Sequence, residues 1–467
     1  MTIIFIARWL GPDNYGYIPL VASIIGLGII FADAGVAPST ARFLAEVQGN
    51  ERNTWSLLKR TFKLRLFILM PICLGIYLTI DWLARFLDAP LLPKFGWLIA
   101  LLLFLQTMQR WIAKVCEGTG NVDLLGKINL SISWTKPTLQ VALVLAGLGL
   151  LGFFIGQAVA YFLIVGIFFF LLIKKFYSED TMPSKVESIV SKSHIISYAL
   201  PLMVIHASFW VFMESDILML KYFKDIQEIS FYGIATSMAT MIVVPIAAFG
   251  ASAAPLVLVL KKDSIQRARE MIFKSLKYLI VIYTFVSLVI FIYAKEIVEI
   301  FFSARYLSST TSLKIYSIFI FFLAISSFVS LVLDYSGLAK VRMILVATSA
   351  GLNVLLNLIL IPKYGMIGAA WATQITYSPL VMIYIWLIAK HYQLLFFDIF
   401  KMSVNILAIG LLMLVILYLF HSFWDKNIIL RLLGIPLGGS LYFYMTYKMS
   451  LVKKDELLPL FGWKFRK

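Results

Sequence analysis

The apolar positions of this chain fall in long continuous runs rather than in alternating or one-sided patterns. A helix that crosses the hydrocarbon core of a membrane needs about 20 mostly apolar residues. The sequence predicts thirteen such spans, at residues 17–39, 63–83, 95–115, 128–149, 151–173, 195–220, 231–258, 276–302, 314–334, 341–361, 365–389, 400–422 and 428–447. Residues 1–9 form a shorter apolar run, which we interpret as the stub of a further helix. The prediction is therefore about 14 transmembrane helices, of which the first is truncated.

Composition supports a membrane protein. The 467 residues are 61% hydrophobic and 14% charged, and the mean hydropathy is +0.91. A soluble domain is typically about half apolar and about a quarter charged. This excess of apolar residues predicts an all-α integral membrane protein for which lipid is the solvent. The two cysteines, Cys73 and Cys116, lie in or beside apolar spans, so the sequence predicts no disulfide scaffold, no metal cluster and no cofactor.

The basic residues are distributed unevenly between the two sets of alternating loops. The net charge is +17, and one loop set, together with the C-terminal tail, holds 28 Lys and Arg against 11 in the other. Because cytoplasmic loops are enriched in Lys and Arg, the first set is predicted to be cytoplasmic. We therefore expect a multi-pass protein of the cytoplasmic membrane with a cytoplasmic C-terminus. The positive charge indicates contact with membrane lipids rather than with nucleic acid.

The two halves of the chain repeat each other. Tyr15-Gly16 corresponds to Tyr232-Gly233, and Gly152 and Tyr161 correspond to Gly368 and Tyr377. Each repeat would hold six helices, and an even number gives both halves the same orientation in the membrane. The prediction is a six-helix half at 1–175 with an incomplete first helix, a cytoplasmic linker at 176–193, a six-helix half at 194–390, and two additional helices with a basic tail at 391–467. Two such halves are typical of a carrier that opens alternately to each side.

Charged residues at membrane depth supply the candidate chemistry. The spans contain Asp33, Arg110, Lys136, Glu214 and Asp216. Charged side chains are costly at membrane depth and usually mark functional positions. Among the cations, Arg110, Lys136 and the more peripheral Arg42 are candidates for binding a lipid phosphate in a cavity. The alternatives are internal ion pairing for Arg110 and Lys136 and snorkelling to the interface for Arg42. His206 is either a hydrogen-bonded polar residue or a proton relay.

A second candidate site consists of oxygen-bearing side chains. Asn353 and Asn357 are four residues apart and share a helix face, and Thr373 follows early in the next span. These oxygens could hold a Na⁺ ion, with Asp216 supplying the negative charge. The alternative is hydrogen bonding between helices. No HExxH, GxSxG, Walker A or paired-cysteine motif occurs, and long loops are absent, so the sequence predicts no catalytic residues and no enzyme.

Three segments resemble a known family. Residues 7–16 (ARWLGPDNYG), the Asp33-Ala34-Gly35 triplet followed by Arg42, and residues 362–373 (PKYGMIGAAWAT) are similar to motifs of the polysaccharide biosynthesis flippases. Those proteins belong to the multidrug/oligosaccharidyl-lipid/polysaccharide exporter (MOP) superfamily. The resemblance implies a flippase that moves a polyprenyl-pyrophosphate-linked oligosaccharide across the membrane for cell-surface polysaccharide synthesis, with a glycan polymerase and assembly proteins as further partners.

The resemblance also bears on individual residues. Related lipid II flippases carry a proposed Na⁺ site, and Asp216, Asn353, Asn357 and Thr373 match it by position. Asn357 stands where those relatives have an acidic residue, which removes one negative charge. Family members bind pyrophosphate through cavity cations, for which Arg42, Arg110 and Lys136 are the candidates here. Two other functions stay open: a Na⁺- or H⁺-coupled multidrug exporter of the same fold, and a membrane-embedded glycan polymerase or ligase.

Overall fold

A computed structural model describes residues 2–47, 51–177, 192–424, 428–449 and 451. Within these residues the secondary structure is helical, and no strand is formed. Most of the predicted linker (178–191) and the basic tail (452–467) lie outside the described residues. The chain divides into two compact units, Met1–Ser230 and Phe231–Lys467. The predicted halves at 1–175 and 194–390 concern repeat symmetry and stay a prediction.

The first unit contains eight helices in its described part. They are α1 (Thr2–Tyr15), α2 (Tyr17–Asp33), α3 (Val36–Glu46), α4 (Glu51–Phe86), α5 (Gly96–Gly118), α6 (Val122–Leu143), α7 (Gly149–Phe176) and α8 (Lys192–Phe223). A core of buried apolar side chains, including Phe43, Leu57, Trp111 and Phe168, joins α3, α4, α5 and α7. Large apolar side chains such as Phe67, on the outside of α4, are exposed, as lipid-facing residues must be.

Three breaks divide the N-terminal part of the first unit. Helices α1 and α2 meet at an angle of 80°, and Gly11, with φ +70°, interrupts α1 itself. The predicted span 17–39 is also interrupted, because Ala34 and Gly35 adopt φ values of +44° and +74° between α2 and α3. A β-carbon on Gly35 would lie 2.2 Å from the carbonyl oxygen of Ala199 in α8. The glycine therefore provides both the left-handed turn and the space for the neighbouring backbone.

Helices α6 and α7 form a tight hairpin. Gly147 and Gly149 have positive φ values in the turn. A β-carbon on Gly156 would lie 2.8 Å from the backbone of Leu139, so the two helices approach each other closely beyond the turn. The apolar stretch Val122–Phe176, 55 residues long, therefore crosses the membrane twice.

The second unit contains seven helices in its described part. They are α9 (Ile226–Asp263, which begins in the first unit), α10 (Ile265–Ile292), the short α11 (Ala294–Phe301), α12 (Ser309–Tyr335), α13 (Ala339–His391), α14 (Phe396–Phe423) and α15 (Ile428–Lys448). Helix α13 is a second hairpin, because Gly365 takes φ +56° and ψ −134°. Gly368 lies so close to Leu360 that a β-carbon would be 2.4 Å from its carbonyl oxygen.

The two hairpins reconcile the helix count with the prediction. Ten described helices are long and apolar enough to cross a membrane, or eleven if the bent α1–α2 pair counts as one span. Counting each hairpin as two helices and α1 and α2 separately gives fourteen in the described residues. The predicted all-α, multi-pass architecture of about 14 helices is confirmed.

The last two helices are held against α10 and α11. The Tyr442 hydroxyl of α15 donates a hydrogen bond to the Val281 carbonyl oxygen at 2.9 Å. Glu296 of α11 is buried, and its Oε1 accepts hydrogen bonds from His421 Nε2 at 2.8 Å and from Arg431 Nη1. Burial raises the pKa of Glu296, but the hydrogen bonds, led by that from His421, outweigh it and hold this pKa below its ordinary value.

Candidate functional site

A buried ion pair organises the candidate cation site of the first unit. Asp33, at the end of α2, accepts a hydrogen bond from Arg65 Nη1 of α4 at 2.8 Å. Arg65 is fully buried and also donates to the Thr107 carbonyl oxygen of α5. The same Asp33 oxygen accepts from the Ala37 backbone N–H at the start of α3, at 3.3 Å. One carboxylate and one guanidinium thus join four helices, and Asp33 acts here as a structural partner.

Arg110 lies one helical turn beyond Thr107 on α5, and its side chain is exposed. It is close enough to interact electrostatically with Arg65, with Tyr161 of α7 and with His206 of α8. His206 is also exposed and interacts electrostatically with Asp33 and Lys114 as well. The Asp33–Arg65 pair is buried, and Arg110 adds an exposed positive charge near it. We call the surface around Arg110 the positive wall of the first unit.

Lys136 extends the positive wall onto the α6–α7 hairpin. Its Nζ lies 5.9 Å from the centre of the Tyr161 ring, a distance at which a cation is attracted to an aromatic face. Tyr161 therefore has two cationic neighbours, Lys136 on α6 and Arg110 on α5. Arg and Lys side chains form strong charge-assisted hydrogen bonds to phosphate, so two cations from different helices near one residue suit a phosphate ligand.

Arg42 has different surroundings. Its Nε lies 3.1 Å from Glu46 Oε1 on the same helix, α3, and both side chains are about half exposed. Exposed pairs of this kind contribute little to stability. The proposed role of Arg42 in binding substrate stays a prediction.

Helix α8, which carries the two acidic candidates Glu214 and Asp216, packs against α2. The Ser23 hydroxyl donates to the Glu214 carbonyl oxygen at 3.0 Å, and a β-carbon on Gly26 would meet the Trp210 ring. Asp216 is buried, and its Oδ1 accepts a hydrogen bond from the Ile217 N–H at 2.9 Å. Helix α8 is therefore anchored along α2, with both carboxylates in the first unit.

The three uncharged candidates for the Na⁺ site are buried in the α13 hairpin. Asn357 Nδ2 donates to Asn353 Oδ1 at 2.9 Å, and Asn353 Nδ2 donates to Thr376 Oγ1 at 3.4 Å. Asn357 Oδ1 and Thr373 Oγ1 have no hydrogen-bond partner in the described part of the chain. Buried oxygens without partners are costly, and oxygen is the ligand that hard cations prefer. Asn357 and Thr373 therefore fit a hard cation, whereas Asn353 already has its oxygen occupied.

Two residues of the positive wall escape prediction from the sequence. Arg65 lies at the start of the predicted span 63–83 and follows Lys59, Arg60 and Lys63, which indicates a cation at the cytoplasmic edge of the span, whereas the structure buries it beside Asp33. The sequence marks Tyr161 only as a residue that corresponds to Tyr377 in the repeat and does not predict its position beside the cations. Asp33 was predicted at membrane depth, and a buried carboxylate needs a cation within reach, so that requirement was the available signal for Arg65.

Sequence comparison identifies a family. Residues 5–311 match the family described as polysaccharide biosynthesis protein. An uncharacterized membrane protein of Methanocaldococcus jannaschii is 24% identical over 269 residues, which are 57% of this chain and 52% of that protein. The aligned part thus spans about half the length of that relative.

Structural comparison identifies the fold. The inward closed conformation of the lipid II flippase MurJ superposes with a TM-score of 0.76 at 16% identity, covering 97% of this chain and 96% of that one. An inward-facing multidrug resistance MATE family transporter of the MOP superfamily superposes with a TM-score of 0.68 at 16% identity, covering 84% and 94%. At this identity the likeness concerns the fold, which is that of multi-pass membrane transporters.

Proposed function

The chain belongs to the polysaccharide biosynthesis protein family and has the fold of MOP superfamily transporters, and from this premise we propose that it is a flippase for a polyprenyl-pyrophosphate-linked oligosaccharide. Such a flippase must hold a pyrophosphate away from water while the lipid tail stays in the membrane. A pyrophosphate carries several negative charges, so the site must offer cations in a setting of low dielectric.

The observation that carries the proposal is the positive wall of the first unit. Arg110 and Lys136 come from different helices and share Tyr161 as a neighbour. Arg65, which is neutralised by Asp33, anchors the base of this wall without offering its charge to a ligand. We assign Arg110 and Lys136 to the pyrophosphate, and Arg42 to a peripheral position at the end of α3, where it could meet the substrate first.

Coupling to Na⁺ is a further part of the proposal. Asn357 and Thr373 would hold the ion through the two buried oxygens that lack partners in the described part of the chain. A bound Na⁺ would couple transport to the ion gradient, and each charge that moves across 100 mV contributes about 2.3 kcal/mol.

The likeness to a MATE transporter gives the alternative function, export of a drug-like cation. A binding site for organic cations favours carboxylates and aromatic rings, because positive side chains repel the ligand. Arg110 and Lys136 are opposite in sign to that requirement, so we favour an anionic substrate. A glycan polymerase or ligase is the third candidate, and the short connections among the described residues support it least.

The test is leaflet reversal of a fluorescent undecaprenyl-pyrophosphate oligosaccharide in proteoliposomes that contain the full chain. Arg110→Gln and Lys136→Gln each remove one charge-assisted contact to phosphate, worth about 1.5–3 kcal/mol, so each should slow transport roughly 10- to 100-fold. Lys63→Gln is the matched control, because Lys63 is an exposed cation of the same unit and should keep the rate of the unmodified protein.

The outcomes separate the three candidate functions. Protein-dependent leaflet reversal that both Arg110→Gln and Lys136→Gln slow supports the flippase. Dependence of the reversal on a Na⁺ gradient supports the coupling to Na⁺. Transport that neither variant slows would refute the assignment of Arg110 and Lys136. Export of an organic cation without reversal of the lipid would favour the drug exporter, and elongation of the glycan would favour the polymerase.

A further inference from the structure

A cleft in the second unit lies outside the candidate sites described above. It has a volume of about 610 Å³ and is bordered by the start of α10, the α13–α14 connection, the start of α14 and Leu451, which follows α15. Its size is within the range of small-molecule sites. All these segments belong to the set of loops that the charge distribution assigns to the cytoplasm, so the cleft is placed where the cytoplasmic leaflet has its headgroups.

The cleft is rich in cations that come from two helices. Arg269, Lys274 and Lys277 line it from α10, and Lys401 lines it from α14, against two carboxylates, Glu270 and Asp398. Lys274 lies 3.8 Å from Glu270, and both side chains are about half exposed. The cationic excess gives the cleft the sign that attracts an anion.

Two of the cations are held in position. Arg269 Nε donates to the Tyr392 carbonyl oxygen at 3.1 Å, and its Nη2 donates to Gln393 Oε1 at 3.2 Å. These bonds fix the connection between α13 and α14 to the start of α10. Lys277 is only 7% exposed although its side chain borders the cleft, and its Nζ lies 5.2 Å from the centre of the Tyr278 ring. A lysine kept this deeply at the membrane boundary is typical of a functional position.

The remaining surface of the cleft is mostly apolar. Phe273, Leu394 and Met402 line it beside the cations. Leu395, which also lines the cleft, is 69% exposed, and Phe397, two residues further along the chain, is 70% exposed, as expected of side chains that contact acyl chains. The cleft therefore has cationic side chains beside exposed apolar ones.

We propose that this cleft binds the headgroup of an anionic phospholipid of the cytoplasmic leaflet. The phosphodiester would lie among Lys277, Lys401 and Arg269, and the acyl chains would run along Leu395 and Phe397. Basic pockets between helices on the cytoplasmic side suit such headgroups because the lipid presents its phosphate at the depth where the cations are held. A soluble anion would use the cations and leave the exposed apolar side chains without a role.

The proposal is tested by native mass spectrometry of the full chain titrated with phosphatidylglycerol or with zwitterionic phosphatidylcholine. Each cation near the surface contributes about 1 kcal/mol to binding anionic lipid, so Lys277→Gln/Lys401→Gln should weaken phosphatidylglycerol binding roughly 30-fold. Lys262→Gln/Arg267→Gln is the matched control, since both of its residues are exposed cations at the same end of the unit and outside the cleft. It should retain the affinity of the unmodified protein.

Lys277 is buried, so the double variant could fail to fold. Lys274→Gln/Lys401→Gln changes only exposed side chains and should still weaken phosphatidylglycerol binding about 10-fold or more. Lipid retention is measured without transport, so the result is independent of whether the protein is a flippase.

Three results would overturn the proposal. Equal retention of phosphatidylcholine and phosphatidylglycerol would exclude a headgroup site selective for anions. Equal losses in the Lys274→Gln/Lys401→Gln and control variants would place any anionic-lipid binding outside the cleft. Displacement of the lipid by excess sodium phosphate at constant ionic strength would identify the ligand as a soluble phosphate.

Discussion

Replacing Asp33 with asparagine tests the structural role of the Asp33–Arg65 pair. Asparagine has nearly the same shape and keeps an oxygen that can accept the hydrogen bond from the Ala37 N–H. The substitution therefore removes the negative charge and leaves Arg65, which is fully buried, without a counter-ion. Removing one partner of a buried ion pair typically costs about 3–5 kcal/mol. A domain is stabilised by only about 5–15 kcal/mol, so we expect a large fraction of the stability to be lost.

The measurement is equilibrium unfolding in mixed micelles, followed by tryptophan fluorescence. Glu117→Gln is the matched control, because it makes the same acid-to-amide change in a pair with Lys114 in which both side chains are about half exposed. It should change the free energy of unfolding by less than about 1 kcal/mol.

A second variant isolates the uncompensated charge as the cause. In Asp33→Asn/Arg65→Met the buried cation is gone as well, and the apolar replacement should recover most of the lost stability. The reasoning is refuted if Asp33→Asn alone unfolds within about 1 kcal/mol of the unmodified protein. It is also refuted if the double variant is no more stable than the single one.

Three further predictions concern other positions. Gly35→Ala should lower the free energy of unfolding by about 2–4 kcal/mol in the same assay, because it adds both a positive-φ penalty and a backbone clash. Gly75→Ala, with no neighbour within 4 Å, should be neutral or slightly stabilising. Equal effects of the two substitutions would contradict this explanation. The pKa of Glu296 is lowered in the folded state, so its contribution is present above the unfolded carboxyl pKa of about 4.3 and is lost as the pH falls through the lower folded pKa. Thermal unfolding from pH 7 to 3 should therefore lose less stability in Glu296→Gln than in the exposed control Glu299→Gln, and parallel profiles would exclude a role for this group. Asn357→Asp adds the carboxylate that related flippases have at this position. Na⁺ at about 100 times its dissociation constant should therefore stabilise this variant by about 2.7 kcal/mol relative to K⁺. Identical melting temperatures in the two salts would contradict a cation site.

The apolar spans were predictable because each is a local property of the chain. Lipid exposure demands about 20 apolar residues in sequence, whatever the neighbours are. The boundary between the predicted spans 341–361 and 365–389 was equally local, and the structure places a positive-φ glycine there at Gly365. The break at Ala34–Gly35 was not predicted, because the apolar run continues through it and only the contact with Ala199, more than 160 residues away, explains the glycine.

The candidate site was predictable only in part, because pairing between helices cannot be deduced from hydropathy. Arg65 looks like a loop cation, since it ends a basic stretch, and its partner Asp33 lies on another helix. The placement of Lys136 beside Tyr161 depends on the register of the α6–α7 hairpin. That register is fixed by close backbone contacts at Gly152 and Gly156, which the sequence marks only as small residues.

Because α14 and α15 are attached to α10 and α11, this helix pair is a suitable position for a spectroscopic probe. Tyr442 bonds to the Val281 backbone near the middle of α10, and Tyr293, next to the end of α10, bonds to the Arg431 backbone at the start of α15. Two well-separated attachments restrict both translation and rotation of α15 relative to α10. A spin label at the exposed Leu437 would therefore follow α10 as a rigid body. Movements of α10 become measurable from a lipid-facing position, without any change to α10 itself.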